Sequence, residues 1–240
     1  MELELSTIHA QIKAIKETIF SDELDPYLLV SPCAYETAWL AMIPDTHQPS
    51  RPMFENCLNW ILINQNQHGF WGDTDSEGKP TIECLVATLA CILALNRWKV
   101  GTRMIEKGLA FLHSSQAEKL LKDHCPRWFA IVFPAMIELV QEVDLKIQLK
   151  QLLLSDVFRK RQQILETEQL VDDHDYPPLL SYLEALPSSH KINQEVIIKN
   201  LCGAGSLFQS PSATASAFMY TGNEKCLSYL QSLAQRCPNG

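Results

Sequence analysis

The chain has 240 residues, 46% of them hydrophobic and 20% charged, and a formal net charge of -8. That length buries a sizeable core as one large domain or two small ones. The acidic balance argues against nucleic acid as a partner, and the densest basic run, Arg159-Lys160-Arg161, reads as a solvated helix face.

Eight cysteines (33, 57, 84, 91, 125, 202, 226 and 237) contain no C-x-x-C pair and no zinc-type cluster with histidine. Cys84 and Cys91, seven apart in an apolar segment, read as small core residues. The leading Met1-Glu2-Leu3-Glu4-Leu5 is acidic, unlike a transit peptide, and no secretory signal is visible. The apolar run Cys84 to Leu95 is too short to span a bilayer. A cytoplasmic protein without a membrane span is the expectation, with plastid as the alternative.

In chain order, Ile8, Ile12, Ile15 and Ile19 predict a first helix over 7–20, and a turn-rich connection leads to Pro32. From Ser31 to Pro44, Tyr35, Ala38, Trp39 and Met42 fall on one apolar stripe, with Glu36 and Thr37 on other faces. A loop runs from Pro44 to Pro52. A helix over 54–65 then stops at His68-Gly69, where Gly69 suits a left-handed position. After Phe70-Trp71-Gly72-Asp73, Thr81 is the expected cap of a helix over 82–95, apolar on every side except at Glu83 and Thr88. A helix over 103–113 follows, and Pro134 is expected to open another rather than interrupt it. Residues 147–170 read as a charged helical bridge. Asp172-Asp173-His174-Asp175 reads as a turn, and four helices complete the chain over 179–186, 192–201, 211–220 and 224–236. Ser210 before Pro211 is a cap and first-turn pairing.

No pair of alternating strands appears, so the class is all-α. An internal echo refines it. A helix ending in Gln65-Asn66-Gln67-His68-Gly69-Phe70-Trp71-Gly72 is followed by Ala87-Thr88-Leu89-Ala90-Cys91. One ending in Cys202-Gly203-Ala204-Gly205-Ser206-Leu207-Phe208 is followed by Ala213-Thr214-Ala215-Ser216-Ala217. That pattern suits helix hairpins in two concentric rings, an α/α barrel.

Several ordered motifs together resemble the plant terpene synthases. Ser31 to Trp39 is similar to their S-A-Y-D-T-A-W stretch, with Cys33 inserted and Glu36 in place of Asp. The turn Gln67 to Gly72, the stretch Gly101 to Leu112, Phe129-Ala130-Ile131-Val132-Phe133-Pro134-Ala135 and Gly205 to Pro211 continue the likeness over about residues 10–240. Within the family, Gly69-Phe70-Trp71-Gly72 and Pro80-Thr81-Ile82-Glu83-Cys84 look most like geranyllinalool and linalool synthases.

The resemblance implies the γβα architecture, with residues 1–30 an N-terminal helical segment belonging to a β domain and residues 31–240 the γ-type α-barrel on which β packs. For the complete enzyme it implies a prenyl diphosphate substrate, geranylgeranyl or geranyl, ionised with Mg2+ and captured by water as an acyclic tertiary alcohol. Two acidic signatures carry the family's chemistry, D-D-x-x-D for class I and D-x-D-D for class II. Asp172-Asp173-His174-Asp175-Tyr176 satisfies neither, because Tyr176 stands where an acid is needed. The acidic motif that class II members carry in γ is reduced to Glu118-Lys119-Leu120-Leu121, and their F-E-I is Phe129-Ala130-Ile131. No catalytic, cofactor-binding or metal-ligating residue is therefore assigned, and the chain alone is expected to be inactive. Glu36, Glu83, His68 and His124 read as caps, helix-face groups or core hydrogen-bonders. The alternatives are a truncated, non-catalytic module that binds a partner, and a fragment of a class II diterpene cyclase.

Overall fold

The computed structural model describes residues 8–14, 16, 31–122, 125–147, 151–169, 178–187 and 192–237. Residues 8–14 are helical and exposed, and the rest of the expected 7–20 helix lies almost wholly outside the described residues. Among the described residues there is no strand, only isolated bridges such as Pro44 to Pro52.

The helices are α1 (Ala34–Ala41), α2 (Glu55–Ile63), α3 (Glu83–Arg97), α4 (Thr102–Leu112), α5 (Ser115–Lys122), α6 (Arg127–Glu142), α7 (Gln151–Gln169), α8 (Gln194–Lys199), α9 (Pro211–Thr221) and α10 (Glu224–Arg236). A 3-10 segment, η1 (Pro178–Ala185), lies between α7 and α8. Contacts run α1 to α3, α3 to α6, α6 to η1, η1 to α9 and α9 back to α1, which closes an inner ring. Helices α2, α4, α7, α8 and α10 pack onto its members from outside, and α5 packs on α4. This is the expected all-α arrangement of hairpins in two layers.

Helix α3 forms because its sequence is Ala- and Leu-rich and free of glycine and proline. Glu83 in the first turn and Arg97 in the last both suit the helix dipole. All twelve residues from Cys84 to Leu95 are buried, as a helix apolar all round requires. Helix α9 starts where expected. The Ser210 side chain accepts from Ala213 N–H, Pro211 occupies the first turn, and Gly222 ends the helix in the left-handed region.

The two echoed turns share one backbone design. In the first, Gly69 N–H donates to Asn66 O and Asn66 N–H to Phe70 O, both at 2.8 Å. In the second, Gly205 N–H donates to Cys202 O and Cys202 N–H to Ser206 O, both at 2.9 Å. Trp71 N–H then donates to Thr88 Oγ1 at 3.1 Å, and Leu207 N–H to Thr214 Oγ1 at 2.9 Å. Each glycine has positive φ and lies against a neighbouring helix, so an added Cβ would sit 2.4 Å from Lys107 O at Gly69 and 2.2 Å from Lys225 O at Gly205.

Five expectations need correction. Pro134 lies inside α6 rather than opening it, because Pro126 already delivers an extended residue ahead of Arg127. The ten buried side chains of α6 outweigh the missing N–H, an interior proline costing about 3 kcal/mol. Thr81 does not cap α3, since its hydroxyl donates to Asp73 O and closes the 73–81 loop instead. In place of the α-helix expected over 179–186 stands the 3-10 segment η1 (Pro178–Ala185), kinked at Tyr182. The kink lets Leu179, Leu180, Glu184 and Ala185 all turn inward, which one α-helical face does not allow. Arg161 is buried rather than solvated, because it shares a face of α7 with the buried Val157 and Leu165. Thr37, placed off the stripe of α1, is buried too.

Candidate functional site

A cavity of about 420 Å³ opens at the N-terminal ends of the inner helices α1, α3, α6 and α9, with η1 along one wall. Each helix reaches it for a local reason. Pro32 and Cys33 turn the chain into α1, the Gly72 and Asp73 turn leads to α3, Pro126 starts α6, and the Ser210 cap starts α9.

At its centre is a cluster brought together from α1, η1 and α9. Tyr35 O–H and Ser212 O–H both donate to Glu184 Oε1, each at 3.1 Å. Ser212 N–H donates to Glu36 Oε2 at 2.5 Å, so Glu36 satisfies one of the open amides in the first turn of α9. Glu184 is only 8% exposed, and its second oxygen, Oε2, is buried without a hydrogen-bond partner. Burial first, and then the neighbouring Glu36 charge, pushes the Glu184 carboxyl up to about 8. Burial also raises Glu36, although its hydrogen bonds from Ser212 work against the shift. Tyr35 is held well above the usual phenol range by burial and by the Glu184 and Glu36 carboxylates. Behind η1, Arg161 donates to Ala185 O at 2.7 Å and to Glu138 Oε2 at 2.8 Å, anchoring the segment that carries Glu184.

The residues singled out in the sequence separate. Glu36 and Glu83 line this cavity, whereas His68 sits on an exposed turn and donates its N–H to Asn66 Oδ1. Glu118 lies in the first turn of α5, whose Leu121 and Ala117 pack inward. His124 and Asp172-Asp173-His174-Asp175-Tyr176 lie outside the described residues. Glu184, Ser212 and the polar end of Tyr35 carried no local motif. The one available signal was a single acid in the otherwise apolar-rich stretch Leu179 to Leu186.

Among the described residues, no group of three or more His, Cys, Asp or Glu side chains is arranged to hold a metal ion. The described residues therefore do not fit the magnesium site of a diphosphate-ionising enzyme, and no step through that metal is derived from them. No helix of the described residues is long and apolar enough to cross a membrane.

No protein-family model matches the chain. Against individual proteins, it is 42% identical to (E,E)-geranyllinalool synthase of Arabidopsis thaliana over 97% of its own length. It is 45% identical to S-linalool synthase of Clarkia breweri over 89%, and 39% identical to copalyl diphosphate synthase 2 of Selaginella moellendorffii over 86%. The chain spans 26–30% of the length of these relatives. Among solved structures, abietadiene synthase from Abies grandis matches with a TM-score of 0.73 at 33% identity, covering 85% of this chain and 27% of that one. The ent-copalyl diphosphate synthase from Arabidopsis thaliana matches with a TM-score of 0.75 at 30% identity, covering 88% and 30%. With sequence relatives and structural neighbours drawn from one group, the chain belongs to the family of the plant terpene synthases.

Proposed function

We propose that this chain is the γ-type portion of an acyclic terpene alcohol synthase of the geranyllinalool type. The observation that carries this reading is the identity of 42–45% to geranyllinalool and linalool synthases, against 39% to copalyl diphosphate synthases. The complete protein would act on geranylgeranyl or geranyl diphosphate, with magnesium assisting loss of the diphosphate and water capturing the cation. Residues 31–240 form the γ-type barrel, residues 1–30 belong to a β domain that packs on it, and the metal ligands lie elsewhere in the complete protein.

The sites at which class II members carry acids support the acyclic reading over a cyclase. Ala130 is fully buried in α6, and Leu121 packs inward from α5, so both positions serve packing. The test is to express the product of the complete transcript, and separately the 240-residue chain, with each diphosphate and Mg2+. Geranyllinalool or linalool from the complete product, and no alcohol from the chain, is the expected result. A bicyclic diphosphate would move the assignment to class II, and a tertiary alcohol from the chain alone would refute the placement of the metal ligands.

A further inference from the structure

We propose that the cavity between α1, α3, α6, η1 and α9 is a binding site for an organic ammonium ion carrying an apolar group, with Glu184 as its anionic partner. The inference goes beyond the diphosphate chemistry proposed above and does not rest on it.

Three features of the cavity converge on that class of ligand. Among the described residues its charged lining is acidic, from Glu36, Asp73, Glu83 and Glu184, with no lysine, arginine or histidine. Three aromatic side chains, Tyr35, Trp128 and Tyr182, also line it; Arg127 already lies 5.8 Å over the Tyr182 ring, so Tyr35 and Trp128 are the rings offered to a cation. Pro32, Val86 and Val132 supply apolar wall, and the volume is that of a small organic molecule rather than of a bare ion.

The acids do not count equally. The first turns of four helices face the cavity, and their positive ends answer part of the negative charge. Glu36 is occupied with Ser212 N–H, and Glu83 sits in the first turn of its own helix. Glu184 is the group left over. The Tyr35 and Ser212 hydroxyls both reach Oε1, while Oε2 is buried without a partner on a side chain that lines the cavity. A buried carboxyl oxygen without a partner is costly whether or not it carries a proton, and an ammonium N–H supplies the ionised form with both a donor and the opposite charge.

The proton balance makes the idea measurable. Burial pushes Glu184 up to about 8, so near neutrality it holds a proton. The ligand arrives already protonated, the complex contains carboxylate and ammonium, and one proton passes to solvent. Affinity then rises about tenfold per pH unit until the carboxyl is ionised in the free protein. Among the described residues, the other titratable groups around the cavity are Tyr35 and Glu36 from α1 and Cys33 ahead of it, Asp73 and Glu83 from α3 and its approach, Arg127 of α6 over the Tyr182 ring, and Arg161 of α7 on Ala185 O. Tyr35 and Cys33 both titrate above the window, Cys33 at about 11.

The probe is 4-phenylbutylamine, with 4-phenylbutan-1-ol as its uncharged counterpart, titrated calorimetrically into the 240-residue chain between pH 6 and 9. The amine is expected to bind one-to-one, at least tenfold tighter than the alcohol at pH 8. Its affinity should climb up to about pH 8 and level off above it. Glu184→Gln should lower amine affinity at least tenfold and flatten the pH profile. Trp128→Leu, which leaves the Glu184 hydrogen bonds in place, should weaken the amine more than the alcohol, and it tests the site even if the Glu184 variant does not fold. Equal binding of amine and alcohol, a flat profile in the unaltered chain, or no binding of either probe would overturn the proposal.

Discussion

The turn that ends α2 and the turn that ends α8 share a backbone plan, but their side chains differ sharply. At the first, Phe70 and Trp71 are each 1% exposed, Phe70 packs on Phe111 with ring centroids 5.0 Å apart, and Trp71 Nε1 donates to Ile61 O at 2.8 Å. Gln65 adds a clamp, reaching Gly69 O and Met104 O at 2.8 Å each. At the second, Ser206 and Leu207 occupy the corresponding places, and the helices around them are short or built from small residues. Val196, Ile198, Met219 and Tyr220 stay exposed there, against Ile63 at the end of α2 in the first. The shared hydrogen bonds and glycines set the path of the chain, while the side chains set how much apolar surface each copy buries. The first copy is the thermodynamic anchor of the barrel and the second leaves apolar surface open.

The largest expected effect follows from that contrast. Trp71→Ala removes a fully buried indole and its hydrogen bond, and should cost about 3–5 kcal/mol. Leu207→Ala, with the smaller side chain at the equivalent place, should cost about 2–3 kcal/mol. Urea unfolding monitored by far-UV circular dichroism measures both. Equal losses would mean that the two copies bear the same load, and the comparison would fail.

The glycines come next and should behave alike. Gly69 at φ +94° and Gly205 at φ +90° each meet a helix backbone, so alanine at either position adds strain to a clash with a carbonyl oxygen. Each variant should lose roughly 2–4 kcal/mol. Gly203, with open space around it and no positive φ, serves as the control and should be nearly neutral to alanine. A tolerant Gly205 beside an intolerant Gly69 would show that the second turn relaxes where the first does not.

These shared features were legible in the sequence because they are local. Gly69 after a helix, small residues behind each turn, Ser210 before Pro211 and the all-apolar run from Cys84 all signal through neighbours a few positions apart. What escaped was set by distance along the chain. Pro134 looked like a helix start because proline favours that position, yet burial along α6 outweighed the lost hydrogen bond. Helix α5 was too short to stand out before Cys125. Arg161 looked solvated until the face it shares with Val157 and Leu165 was placed against α6 and η1. The cavity cluster is the extreme case. Tyr35, Glu184 and Ser212 are joined only when three elements meet, with Tyr35 and Glu184 separated by 149 positions.

The smallest effect tests the hydrogen bond common to both turns. Thr88 and Thr214 are fully buried, and each hydroxyl oxygen accepts the N–H of the residue that enters the core, Trp71 or Leu207. Valine keeps the shape of threonine and removes that acceptor, leaving a buried amide unsatisfied at about 1–3 kcal/mol. Serine keeps the oxygen and deletes a methyl group, so it separates the bond from the packing. The expected order at both positions is a larger loss for valine than for serine. Thr214→Val should be at least as costly as Thr88→Val, because the Thr214 hydroxyl also donates to Ser210 O at 2.6 Å. If serine proved as damaging as valine in α3 but not in α9, the first copy would depend on the packing of its threonine and the second on its polarity. The shared hydrogen bond would then no longer explain why the chain takes the same path twice.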